Sequence, residues 1–163
     1  MSKSLTHYHK VQSLHSVRLL QTSPWGGKSP KLKGCRAKGK TYERTVARLL
    51  ARSLDSSAEL FYNQWIAFTD STGSHYCQPD LYIVLPSYVL LLEVKLTQTE
   101  SAEGQMSELY KPVLEALYSR PVVMVQICKN LRYPPRAEIS ALHQACSSTR
   151  FYTYHCLGDL INV

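Results

Sequence analysis

Glu43, Asp80, Glu93 and Lys95 are the residues of this 163-residue chain whose types and spacing could do chemistry. Asp80 follows Pro79, and Glu93-Val94-Lys95 comes after twelve intervening residues. Both stretches read as strands. In 88–96, Val89, Leu91, Glu93 and Lys95 point to one face, and Leu90, Leu92, Val94 and Leu96 to the other. The wholly apolar face is expected on the core side; the other begins apolar and ends in a carboxylate and an ammonium. In 76–85, Asp80 shares a face with Tyr82 and Val84. A turn centred on Pro86-Ser87 sets Asp80 directly across from Glu93, although Pro86 does not suit a primed two-residue turn and the register could slip.

Two opposed carboxylates repel and weaken a hairpin. A hard cation such as Mg²⁺, which takes oxygen ligands and keeps several waters, would bridge them. Glu43, upstream, could complete such a cluster. Lys95 could salt-bridge the pair, orient and deprotonate a water, or stabilise charge developing on a phosphoryl group. Periodicity by itself favours the plainer reading, a half-exposed Asp-Glu-Lys network with no chemical role.

The elements that must position these residues follow from the hydrophobic pattern. From about Thr41, Tyr42, Val46, Leu49, Leu50 and Leu54 fall on one side of a 3.6-residue helix, and Lys40, Arg44, Arg48 and Arg52 on the opposite side. Glu43 lies at the edge of the apolar face, where it needs a partner; alternatively it is an acid favoured by the dipole of a helix's first turn. Three strand-like runs follow, roughly 59–69, 76–85 and 88–96, with turn signals at Asp70–Ser74 and Pro86-Ser87, so an antiparallel meander is expected. A helical pattern covers about 102–119, which Pro112 must start, kink or split. Residues 121–128 read as a buried strand, 136–147 as a helix, and FYTYHCL as a short closing strand. The order α-β-β-β-α-β, then α and β, predicts a mixed central sheet flanked by helices.

Charge is unevenly spread. Residues 1–52 carry twelve Lys/Arg and one acid, Glu43; the remainder carries seven Lys/Arg against eleven acids. The whole basic excess behind the net charge of +7 therefore lies in the first third. Residues 1–39, rich in Gly, Pro, Ser and Lys, read as a flexible basic arm, with a short amphipathic helix open near Leu5–Leu20. Residues 40–163 form the folded domain. Lys38, Lys40, Arg44, Arg48 and Arg52 are candidate phosphate contacts, against the bland reading of a solvated helix face.

No apolar run is long enough to span a bilayer, and residues 1–30 lack the apolar stretch of a secretory signal. Five widely spaced Cys without a CxxC pair argue for a reducing intracellular compartment. An acid-free, Ser-containing start leaves mitochondrial import open, though Lys outnumbers Arg there. His143, Cys146, His155 and Cys156 invite a zinc reading, but adjacent strand residues point apart, and a buried helical face is the better account. Trp25-Gly26-Gly27-Lys28-Ser29 lacks phosphate-loop spacing.

Pro79-Asp80, then Glu93-Val94-Lys95, with Glu43 on a preceding helix, resembles the PD-(D/E)XK nuclease superfamily. The layout of 34–97 is most similar to phage-type endonuclease I Holliday-junction resolvases. The resemblance implies a restriction-endonuclease-like α-β-β-β-α-β core and a metal-dependent DNA endonuclease, selective for branched DNA. An exonuclease or nickase of the same superfamily is the near alternative, and a non-catalytic nucleic-acid-binding protein the distant one. It also implies that Asp80, Glu93 and the Val94 carbonyl bind Mg²⁺ or Mn²⁺, that Glu43 helps hold a second cation, and that Lys95 positions or activates water. The partners implied are DNA and a second copy of the chain. Some exonuclease branches carry a Gln-h-x-x-Tyr motif on the next helix; here Tyr110 falls one residue late relative to Gln105. Gln105 is thus an outer-shell or phosphate contact, or an ordinary surface glutamine.

Overall fold

The structure, a computed structural model, describes residues 8–27, 31–99, 101–130 and the backbone of 151–154. The expected helix over 136–147 and the weighed His143, Cys146, His155 and Cys156 lie outside these residues. The elements are β1 (Ser16–Leu19), α1 (Gly34–Ser53), β2 (Glu59–Tyr62), β3 (Ile66–Asp70), β4 (Gly73–Cys77), β5 (Leu81–Val84) and β6 (Val89–Thr97). After these come α2 (Ser101–Gln105), a π-helical turn (Met106–Tyr110), α3 (Lys111–Tyr118), β7 (Val122–Asn130) and β8 (Phe151–Tyr154). The chain is mixed α/β with two sheets.

The five-stranded sheet has the order β2-β5-β6-β7-β8. β2, β5 and β6 pair antiparallel, whereas β6, β7 and β8 run parallel. β5 and β6 take the register that centres their turn on Pro86-Ser87, with Leu81 opposite Leu92 and Val84 opposite Val89. The expected three-strand meander is corrected. Each of the first two apolar runs is cut in two, and the inner pieces leave the sheet as the β3–β4 hairpin. Asn63, at φ +51°, turns the chain between β2 and β3; Asn tolerates this left-handed conformation better than most side chains. Pro79, which has no N–H to offer a ladder, separates β4 from β5.

Both faces of the larger sheet are covered, so the reading of a single core side fails. Val46, Ala47 and Leu50 of α1 pack on Leu81, Ile83, Leu90, Leu92 and Val94. On the opposite face, Tyr82, Leu91 and Met124 meet Met106, Leu109, Val113 and Leu114, together with Ile66 and Phe68 of the small sheet. A strand buried on both sides reads as a near-continuous apolar run, as LLL at 90–92 does. Pro112 sits in the first turn of α3, where its missing N–H costs little.

The basic arm is corrected as well. Residues 8–20 form an extended strap whose β1 pairs antiparallel with β3, placing Val17 opposite Phe68. Tyr8, Val11, Leu14 and Val17 rest on the second core. Their spacing of three suits a helix on paper, but the backbone N–H and C=O groups of the strap are spent across chain: Val11 donates to Glu108, His15 to Thr69 and Leu20 to Trp65. Helix α1 also begins at Gly34, inside the supposed arm; its first turns are mostly exposed and leave no apolar pattern to read.

Removing residues 1–20 is therefore expected to destabilise the fold. Four half-buried apolar side chains at roughly 1 kcal/mol each, less the ordering entropy recovered, leave about 2 kcal/mol. That corresponds to a melting temperature lower by about 5 °C. A truncated chain that melts with the full-length protein would show that the strap contributes nothing.

Candidate active site

The candidate site lies where β5 begins and β6 ends. One register step before Leu81 opposite Leu92, Asp80 stands beside Glu93, and the Val94 N–H donates to Asp80 Oδ2 at 3.2 Å. The Asn63 N–H donates to the Asp80 carbonyl at 3.0 Å, and Gln78 Nε2 donates to the Asn63 carbonyl at 2.8 Å. The left-handed Asn63 turn thus fixes the backbone that presents Asp80. Lys95 Nζ donates to Glu93 Oε1 at 2.6 Å.

Glu43 comes from α1. Because the helix starts at Gly34, Glu43 lies in its third turn and not in its first, so the macrodipole account does not hold. Its carboxylate is mostly buried and pairs with the Lys40 ammonium, which also donates to Asn63 Oδ1 at 2.8 Å. Lys40 is thereby corrected from a member of the outer basic stripe to a part of the site. Arg44, Arg48 and Arg52 stay exposed on α1, as does Lys38 nearer the start of the helix. A cleft of about 540 Å³ opens between α1 and the end of β6, lined by Arg36, Lys40, Glu43, Val94 and Lys95 among others.

Electrostatics bind these groups into one cluster. Burial, then the Asp80 charge, raises Glu93 to about 7 against the pull of Lys95. Burial and then Asp80 also raise Glu43, with Lys40 and Lys95 opposing. Asp80 itself is raised by burial, while Lys95, the Val94 N–H and Lys40 work to keep it ionised. Burial alone would weaken the Lys95 ammonium, but Glu93, Asp80 and Glu43 overbalance it and hold it above the ordinary lysine range. Acids that resist ionisation because they are dry and mutually repelling are what a multivalent cation would relieve.

One observation fits a cation. Glu93 Oε2 is buried and has no hydrogen-bond partner, on a side chain only 3% exposed. An unsatisfied buried carboxylate oxygen is costly, and Mg²⁺ or Mn²⁺ takes such oxygens. Asp80, Glu93 and the Val94 carbonyl would hold the ion, with Glu43 the more distant member. Against a ready-made cage, the oxygens of Glu43, Asp80 and Glu93 do not all come within 4.8 Å of one another.

Sequence reasoning missed Asn63 and Gln78, and set Tyr110 aside as one residue late. An Asn in the middle of an aromatic strand run was the available signal for the first. The lateness of Tyr110 is the work of the π-turn. That turn adds one residue to the helix and returns Tyr110 to the face of Gln105, whose Nε2 donates to Tyr110 Oη at 2.7 Å. The Tyr110 hydroxyl in turn lies 3.4 Å from the Gln78 carbonyl. Burial first, then the charges of Glu93 and Asp80, raises its pKa. Gln105 is therefore a partner of the cluster's edge, through Tyr110, and not a free surface amide.

No family model, curated protein or solved structure matches the chain. Among the described residues, no helix is long and apolar enough to cross a membrane.

Proposed function

We propose that the chain is a divalent-cation-dependent DNA endonuclease with a restriction-endonuclease-like core, acting on branched DNA. The observation that carries this reading is the convergence of Asp80, Glu93 and Lys95 with Glu43 at the end of β6, with one Glu93 oxygen left unpaired. The order α1-β2-β5-β6-helix-β7 around the larger sheet supports it, the β3–β4 hairpin being an excursion from that order. With Mg²⁺ or Mn²⁺ bound, the ion would polarise a phosphoryl oxygen and lower the pKa of a bound water. Lys95, held cationic by its carboxylate neighbours, would orient the attacking water and stabilise charge on the phosphorane-like transition state. Lys40 would hold Glu43 in place. A twofold dimer of the chain would present two such sites to a symmetric junction.

A second reading rests on a specific observation. Lys95 and Lys40 already pair with Glu93 and Glu43, which suits an inert ionic network inside a nucleic-acid-binding domain. Incubating the protein with a four-way junction, a linear duplex and a single strand, with Mg²⁺ or with chelator, separates the two. Mg²⁺-dependent cutting of the junction is the expected result. Binding without cutting in any metal leaves the inert domain, and preference for free ends selects an exonuclease.

The exposed face of α1 is the proposed grip on the backbone. Replacing Arg44, Arg48 and Arg52 together by Ala is expected to weaken duplex binding at least tenfold. The slope of log affinity against log salt should fall by about 2–3, near 0.9 per lost phosphate contact. Fluorescence anisotropy across a salt series measures both; an unchanged slope would place the DNA elsewhere.

A further inference from the structure

A second polar cluster lies away from the carboxylates. His9 from the strap, Asp70 at the end of β3 and His75 in β4 converge, with one ligand atom from each inside 4.8 Å of the others. His9 Nε2 is 2.7 Å from Asp70 Oδ2, and His75 Nε2 is 3.3 Å from Asp70 Oδ1. The two imidazoles are stacked, with centroids 3.8 Å apart. Both therefore aim the same ring nitrogen at one carboxylate whose side chain is fully buried. Each imidazole is only about a quarter exposed, which leaves one side of the cluster open to water.

The carboxylate is held as an ion-binding group should be. The Thr72 N–H donates to Asp70 Oδ1 at 2.8 Å and the Gln12 N–H to Oδ2 at 3.0 Å. Thr72 Oγ1 donates to Oδ1 at 2.7 Å and lies 2.8 Å from His75 Nε2. Despite its burial, hydrogen bonds from Thr72, His9 and Gln12 hold this carboxyl well below the usual range. Backbone donors on each oxygen fix the group's orientation, as outer-shell bonds do for metal ligands. Two imidazole nitrogens and one carboxylate oxygen, with a position left for water, are the donor set of a borderline cation and not of Mg²⁺.

We infer that His9, Asp70 and His75 form a Zn²⁺ site that pins the N-terminal strap onto the β3–β4 hairpin. The ion replaces the His9 and His75 contacts to Asp70, while the Gln12 and Thr72 donors stay. The site is independent of the proposed nuclease chemistry, because its ligands share no residue with the carboxylate cluster. The strap that the ion pins also meets the π-turn, where Tyr8 and Lys10 donate to the Glu108 carboxylate.

The test uses the full chain carrying Asp80→Asn and Glu93→Gln, so that the carboxylate cluster takes no ion. Equilibrium dialysis against Zn²⁺ is expected to give one ion per chain, and Co²⁺ to give a visible ligand-field band. His9→Ala and, separately, His75→Ala should each weaken Zn²⁺ binding at least about 100-fold and abolish the band. Zn²⁺ should raise the melting temperature of the parent and of neither variant. His75→Gln serves as a second test should His75→Ala not fold. Absence of stoichiometric Zn²⁺, or binding indifferent to both His9 and His75, overturns the inference. Neither result touches Mg²⁺-dependent cutting by the wild-type chain, so failure here and failure of the nuclease reading are distinguishable.

Discussion

Asp80→Asn is expected to lower Mg²⁺-dependent junction cleavage by about 10³-fold while leaving the fold and DNA binding in place. The substitution keeps shape and keeps an oxygen to accept the Val94 N–H, the 3.2 Å bond that ties β5 to β6. It removes the charge by which Asp80 would serve as a cation ligand in the proposed site. A Lewis-acid contact worth several kcal/mol, at about 1.4 kcal/mol per tenfold in rate, gives that loss. DNA binding is expected to survive, because the proposed grip, Arg44, Arg48 and Arg52 on α1, would not depend on the ion. Single-turnover cleavage with excess protein, beside anisotropy in Ca²⁺, reads the two quantities separately. Cleavage within tenfold of wild type would remove Asp80 from the chemistry, and with it the proposed mechanism.

The second large effect is on stability in chelator. Glu93 sits at about 7 in the folded chain, against an ordinary 4.5. Between those two values the folded state binds more protons than the unfolded chain, so stability falls as pH rises across that window. Above about pH 7 the full cost is present, on the order of 3 kcal/mol for this nearly dry side chain. Glu93→Gln removes the charge and is expected to be more stable than wild type in chelator at pH 8 by that order, with the difference gone near pH 4.5. Mg²⁺ should stabilise the wild type at pH 8 and leave the variant unmoved. Lys95 keeps Asp80 and Glu43 as charge partners in the variant. Urea unfolding at pH 4.5 and pH 8, with and without Mg²⁺, supplies all four numbers. A variant less stable than wild type at pH 8 would show that the Lys95 pair outweighs the burial cost.

The pairing of Asp80 with Glu93 was legible because strand parity and one turn position determine it, and neither depends on distant chain. The helical stretch ahead of β7, with Pro112 at the start of α3, was legible for the same local reason. The two-sheet division was not. Whether 59–69 is one strand or two is decided at Asn63 by a backbone twist, and the hairpin that departs there finds its partner, β1, far upstream. The strap was illegible because half-buried residues at a spacing of three suit several conformations, and only the acceptors waiting on β3 and the π-turn select the extended one. Lys40 was assigned by helix angle to the outer face. A long side chain can return across a helix edge when buried carboxylates attract it, which residue spacing does not encode. The late Tyr110 was read as a defect of spacing, and a π-turn removes that defect.

The parallel pairing of β6 with β7 has a consequence for the order in which the chain matures. Glu93 lies opposite Gln126 in that ladder, so its far side is closed only by residues made well after it. During synthesis, β5 and β6 can form their hairpin early, since their contacts are local. The long-range pairing comes late and is the slow step for such topologies. Until it forms, Glu93 would be more open to water and would cost less to charge. On this order the nascent chain would carry a more hydrated acid, and the docking of β7 would help create the dry, repelled carboxylate of the folded chain.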